Sequence, residues 1–155
     1  MERLRYAEDS AFTLADDAAT LHRISRTVPR ERLAATRFGD WTAVEVLGHV
    51  ADTAELFAER VRRCVEEERP ALPGVDTDAL ARERRNAERD PIELARRVGA
   101  AHGAIIQFLS RPGNAARVGV HGEWGEVDAA HLAAYQARHA HEHVTALAVA
   151  FPPAP

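Results

Sequence analysis

The chain has no lysine: its 20 basic residues are all arginine, set against 24 acidic ones for a formal charge of −4. That balance supplies no basic stripe, so nucleic-acid binding is disfavoured. A single cysteine, Cys64, excludes an intramolecular disulfide and a cysteine-rich zinc site. Aromatic residues make up only 6% of the chain, and candidate strands are short, which points to an all-α protein. Long apolar runs are missing too. Met1-Glu2-Arg3-Leu4-Arg5-Tyr6 is not the start of a signal peptide, and no stretch reaches the length of a membrane span, so a soluble, cytoplasmic protein without a membrane partner is expected. No phosphate-binding glycine loop, G-x-S-x-G elbow or H-E-x-x-H motif is found. At 155 residues the whole chain, 1–155, is expected to form one domain with its own core.

Helical periodicity is what the chain does have. A first amphipathic segment runs from about Asp9 to Thr27, before Val28-Pro29, and a short amphipathic piece with a turn at Gly39-Asp40 follows. Thr42-Ala43-Val44-Glu45 reads as a capping box, with Trp41 placed to staple onto the first turn. Apolar residues then recur at Val44, Leu47, Val50, Ala54, Phe57, Val61 and Cys64, a helical period held for over twenty residues. A charged connector from Pro70 to Asp90 is partly helical, with a turn signal at Pro73-Gly74. A third helix starts at Asp90-Pro91, the cap followed by proline in the first helical position. Residues 114–127 hold three glycines and read as a loop or small hairpin, after which Asp128 caps a fourth helix ending before Pro152. The expected fold is a four-helix bundle with a long connector between helices two and three.

The histidines carry the chemistry. His139 and His143, four residues apart on the fourth helix, present two rings on one face, one turn apart. Such a pair can supply half of a transition-metal shell or lie on a solvated surface. The candidate third ligand is His49 on the second helix, beside Val50 and flanked by Glu45, Asp52 and Thr53. By itself it also reads as a hydrogen-bonded structural histidine; facing a His-x-x-x-His on another core helix, it reads as a ligand. Asp52 is a candidate to orient His49 or a bound water, or else an exposed carboxylate paired with nothing. His141 points to the other side of its helix, Glu142 is expected to pair with Arg138, and His22, His102 and His121 have no evident partner. His131 could line the same cleft or sit at the surface, and His121 with Trp124 could form a rim or a plain loop. Cys64 falls at an apolar helical position and reads as a buried, inert thiol.

The stretch Trp41-Thr42-Ala43-Val44-Glu45-Val46-Leu47-Gly48-His49-Val50-Ala51-Asp52 resembles the W-[ST]-x-x-E-x-x-x-H-L-x-D pattern of the DinB/YfiT-like superfamily of four-helix metal-binding proteins. Leu72-Pro73-Gly74 in the connector is similar as well. So is Gly122-Glu123-Trp124-Gly125-Glu126-Val127 leading into the helix with His139 and His143. The likeness extends from about residue 10 to 150. It implies a three-histidine site of His49, His139 and His143 for a divalent metal: zinc, nickel or iron. It further implies a homodimer, and an enzyme acting on small electrophilic substrates. Relatives transfer low-molecular-weight thiols (bacillithiol, mycothiol, glutathione), isomerise maleylpyruvate, or are described as metal-dependent hydrolases. The added C-terminal thiol-binding domain of larger members is not expected here. The chain is therefore expected to be a metal-dependent thiol transferase or hydrolase using three histidines, with Asp52 in support. The alternative is a non-catalytic metal-binding or stress-related bundle that interacts with other proteins.

Overall fold

The computed structural model describes residues 2–155. Helix α1 (Glu8–Thr27) leads to the short α2 (Arg30–Ala35) and a two-stranded hairpin, β1 (Arg37–Phe38) with β2 (Trp41–Thr42). Its two-residue turn, Gly39-Asp40, needs the positive φ that Gly39 adopts (64°). Helix α3 (Ala43–Glu66) begins at the expected capping box: Glu45 N–H donates to Thr42 Oγ1 at 3.3 Å, and Thr42 N–H to Glu45 Oε1 at 3.1 Å. Strand β3 (Ala71–Leu72), helix α4 (Thr77–Arg84) and a 3₁₀ turn (Asn86–Glu88) make up the connector, in which Pro73-Gly74 is irregular chain instead of the expected turn. Helix α5 (Pro91–Leu109) starts on the Asp90 cap. Strands β4 (Val118–His121) and β5 (Gly125–Asp128) form a hairpin, and α6 (Ala129–Ala150) follows, capped by Asp128, which accepts from His131 N–H at 2.8 Å.

The four long helices form the bundle, but chain neighbours are not spatial neighbours. Both α1 and α3 pack against α5 and α6, so α1 and α3 face each other across a diagonal. Periodicity reports which face of a helix is apolar and says nothing about which helix it meets. Two apolar clusters fill the interior. One gathers Leu21, Ile24, Leu47, Val50, Val98, Val144 and Phe151; the other gathers Leu14, Phe57, Val61, Ile105, Val127 and Leu132. A fully buried leucine or isoleucine in either contributes about 1.5–3 kcal/mol.

Polar side chains lie between the clusters and tie helices together. His102 of α5 donates from Nδ1 to the Leu14 carbonyl at 2.8 Å and accepts at Nε2 from Gln136 at 3.1 Å, joining α1, α5 and α6. His102 thus has the partners the sequence did not disclose. His141 is exposed, as expected, yet its Nδ1 lies 3.0 Å from the buried Asp17 carboxylate of α1. Burial raises the pKa of Asp17, while His141 acts in the opposite direction.

The connector is held to α3 at two close approaches. Parallel pairing of β3 with β4 makes a three-stranded sheet, which reaches Cys64 because Gly119 has no side chain: a Cβ there would lie 2.9 Å from Cys64 Sγ. Burial pushes the Cys64 thiol up to about 11, consistent with an inert core residue. At the second approach, a Cβ on Gly48 would lie 2.3 Å from Asn86 Cγ. Gly48→Ala is therefore expected to destabilise the protein by about 1–3 kcal/mol through overpacking. Urea denaturation should show much of this loss relieved in an Asn86→Gly background, where the clashing side chain is gone.

Candidate metal centre

Three turns of two helices bring the centre together. His49 stands on α3 and His139 and His143 on α6, at the seam between the two apolar clusters. Their rings meet edge to face, with centroids 5.1 Å apart for His49 and His139, 5.0 Å for His49 and His143, and 4.8 Å for His139 and His143. His49 Nε2 and His139 Nε2 are 3.3 Å apart, and one nitrogen from each of the three rings lies within 4.8 Å of the others. Two nitrogens bound tetrahedrally to one zinc ion at about 2.0–2.1 Å would stand about 3.3 Å apart. The donor set fits a divalent transition metal.

Electrostatics agree. Burial lowers the pKa of His49 to about 4, helped by His139 and His143. Burial also lowers His139 and His143, opposed in both by the Glu142 carboxylate. Neutral imidazole is the form that ligates a metal. The second nitrogens of His49 and His139, both Nδ1, are buried without a hydrogen-bond partner among the described residues. Aromatic neighbours orient the rings in place of an acceptor. Trp41 packs against His49 with centroids 4.9 Å apart, and Tyr135 lies nearly parallel to His139 at 6.2 Å.

Asp52 is buried and well paired, so it is not the exposed, unpartnered carboxylate considered from sequence. It accepts from Asn86 Nδ2 at 3.0 Å and Arg97 Nη2 at 3.0 Å, and no hydrogen bond joins it to His49. Its effect on His49 is Coulombic, favouring the charged ring. Glu45 is occupied in the cap of α3. No ion pair joins Glu142 to Arg138 among the described residues, contrary to expectation; both are exposed and solvated.

A cleft of about 190 Å³ opens beside His139, bounded by Thr53, Phe57, Arg60, His121, Trp124 and Tyr135. His121 and Trp124 are stacked with centroids 4.2 Å apart, so the hairpin does form a rim. His131 is buried: its Nδ1 accepts from Leu4 N–H at 3.1 Å, and its ring meets Trp124 edge-on. Arg60 was not singled out from sequence. The signal was available: Thr53 and Arg60 stand four and eleven residues after His49, within a 40° arc of the helix at 100° per residue.

The DinB superfamily model matches residues 13–147. This chain belongs to the DinB superfamily. YfiT from Bacillus subtilis, described as a probable metal-dependent hydrolase with an unusual four-helix bundle topology, superposes with a TM-score of 0.76. The match covers 99% of this chain and 94% of that one at 20% identity, a likeness of fold. No curated protein matches the chain. For this superfamily member no helix among the described residues is long and apolar enough to cross a membrane.

The pKa directions predict acid sensitivity. Each histidine of the triad titrates in the fold below the value of about 6.5 it has when unfolded. The unfolded chain therefore binds more protons as pH falls. The stability contributed by the neutral rings is complete above about pH 6.5 and is lost as pH falls towards 4, the folded value for His49. Denaturation midpoints of metal-free protein should drop through that window, and His49→Phe should flatten part of the slope.

Proposed function

We propose that this protein is a metal-dependent enzyme in which His49, His139 and His143 hold one divalent ion (zinc, nickel or iron) and a small electrophilic substrate enters through the adjoining cleft. The observation that carries the reading is the convergence of buried His49 with half-buried His139 and His143, all favoured in the neutral form, with His139 at the wall of an open cleft. An ion bound there supplies a Lewis acid that activates a thiol or a water as nucleophile. The protein's own side chains do the rest. Trp41 and Tyr135 hold two of the rings, and the packing of Phe57, Trp124 and Tyr135 gives the substrate an apolar wall. Asp52, fixed by Asn86 and Arg97, is proposed to support the site by its charge and by keeping the connector against α3.

Hydrolysis and thiol transfer both fit such a centre, and a low-molecular-weight thiol is the proposed co-substrate in the second case. The cleft favours an enzyme over a non-catalytic interaction bundle, because a site serving only to stabilise the fold would be closed. Residues 1–155 are taken to work as one cytoplasmic domain, without nucleic-acid or membrane partners. In a homodimer, the exposed Phe12 of α1 and Val149 of α6 are side chains that such a contact would cover.

Elemental analysis of untagged protein is the direct test. Wild type is expected to carry about one equivalent of divalent metal, and His49→Ala to lose most of it together with turnover. Full metal content in His49→Ala would remove His49 from the ligand set. A wild type that takes up no zinc, nickel or ferrous iron would return the chain to the non-catalytic alternative.

A further inference from the structure

The cleft contains a cation without an ion-pair partner among the described residues. Arg60 is 6% exposed, yet it forms no ion pair among the described residues. Its guanidinium gives one hydrogen bond, from Nη2 to the Pro73 carbonyl at 2.9 Å, and rests over the Phe57 ring at 5.0 Å. An arginine has five N–H donors and stays charged, so most of its hydrogen-bonding capacity is unspent. Burying a charge without a counter-ion is costly, and a ligand of opposite charge would offset that cost. The half-buried Arg97 differs: it is spent on Asp52 and Glu55.

A second donor lies beside it. His121 Nδ1 accepts from the backbone N–H groups of Glu123 at 3.0 Å and Trp124 at 3.2 Å. Two N–H donors into one nitrogen fix the tautomer, so the hydrogen sits on Nε2, which makes no hydrogen bond among the described residues. Arg60 and His121 line the same cleft, and burial, with the positive charge of Arg60 after it, favours the neutral ring. Glu123, also at the cleft, sets an upper limit on the charge the pair attracts: a singly charged carboxylate suits it better than a doubly charged phosphate.

We propose that Arg60 and His121 Nε2 bind the carboxylate of the substrate, and that the aromatic walls of Phe57, Trp124 and Tyr135 take an apolar or planar body whose reacting end lies beside His139. Arg60 and His49 stand eleven residues apart on α3, about 16 Å along the axis and 20° around it. The Arg60 guanidinium reaches back over the Phe57 ring, towards His49, so a ligand bridges only part of that rise and needs only a short spacer between its carboxylate and its reacting atom. The cleft, about 190 Å³, is somewhat larger than the roughly 150 Å³ cavity that accepts benzene, so one ring with a short acid side chain is the fitting size. The reacting end of this assignment rests on the proposed metal centre; the carboxylate subsite does not.

The test is calorimetric titration with 3-phenylpropanoate and its neutral isostere 3-phenylpropanamide, on metal-free and zinc-supplemented wild type and on Arg60 variants. Wild type is expected to bind the carboxylate about tenfold or more tightly than the amide, the strength of a charge-assisted pair over a neutral one. Arg60→Gln should reduce that ratio to about one, and Arg60→Lys should keep part of it, while metal content stays at the wild-type level in both. Equal affinity for acid and amide in wild type, no measurable binding of the acid, or an undiminished preference in a folded Arg60→Gln protein would each overturn the proposal. The wild-type comparison needs no variant to fold. A carboxylate preference in protein that takes up no zinc, nickel or ferrous iron would sustain this subsite and sink the metal centre, whereas metal uptake without the preference would do the reverse.

Discussion

Three basic rings packed edge to face against one another are the constraint on which the site depends. At the seam between two apolar clusters, burial makes an imidazolium costly, and the neighbouring rings raise that cost further for His49. The rings therefore stay neutral and close together, which leaves three nitrogen lone pairs available for one cation. Helices α3 and α6 are held at the distance that brings the rings into contact by packing above and below. Leu47, Val50 and Val144 lie on one side, and Phe57 and Leu132 on the other. A polar layer in a bundle is expensive unless its groups have partners. Here the expense is concentrated where a ligand can relieve it.

The connector completes the wall around that layer. Its helix α4 has no buried residue, so little apolar packing holds it to the bundle. Its anchor is Asn86, which enters the space left by Gly48 and binds Asp52, itself fixed by Arg97 from α5. Thr77, at the start of α4, borders the cleft. The element with the least packing thus adjoins the opening, and one buried amide–carboxylate bond one turn from His49 keeps it in place. Local opening there would widen access without disturbing the triad, because the helices that carry the three histidines belong to the two cores.

The opposite wall comes from the β4–β5 hairpin and the first turns of α6. His131, Tyr135, His139 and His143 follow one another at intervals of four residues, so one stripe of α6 carries both the aromatic lining and two of the metal-binding candidates. On α3 the stripe of His49, Thr53, Phe57 and Arg60 does the same. Two facing stripes, one of nitrogen bases and one ending in an unpaired cation, give the cleft a polarity from end to end that neither helix has alone.

Much of this was legible in the sequence for identifiable reasons. The capping box at Thr42, the Asp90-Pro91 start and the Asp128 cap mark helix ends by local hydrogen bonding, so the four long helices could be placed to within a residue or two. The spacing of His139 and His143 is a property of one helix, and it likewise could be read directly. What required the tertiary structure is everything that joins distant segments. No periodicity specifies that α1 and α3 lie across the diagonal, or that β3 pairs in parallel with β4. Nor does it specify that Asp52 turns to Asn86 and Arg97 while Arg60 has no ion-pair partner among the described residues, since each depends on which side chains from other helices reach the same volume. Sequence alone determined which faces of the helices are apolar and which residues could ligate a metal. Packing decided which of them meet, because hydrogen bonds and charge pairing between helices depend on distances that only the folded chain sets.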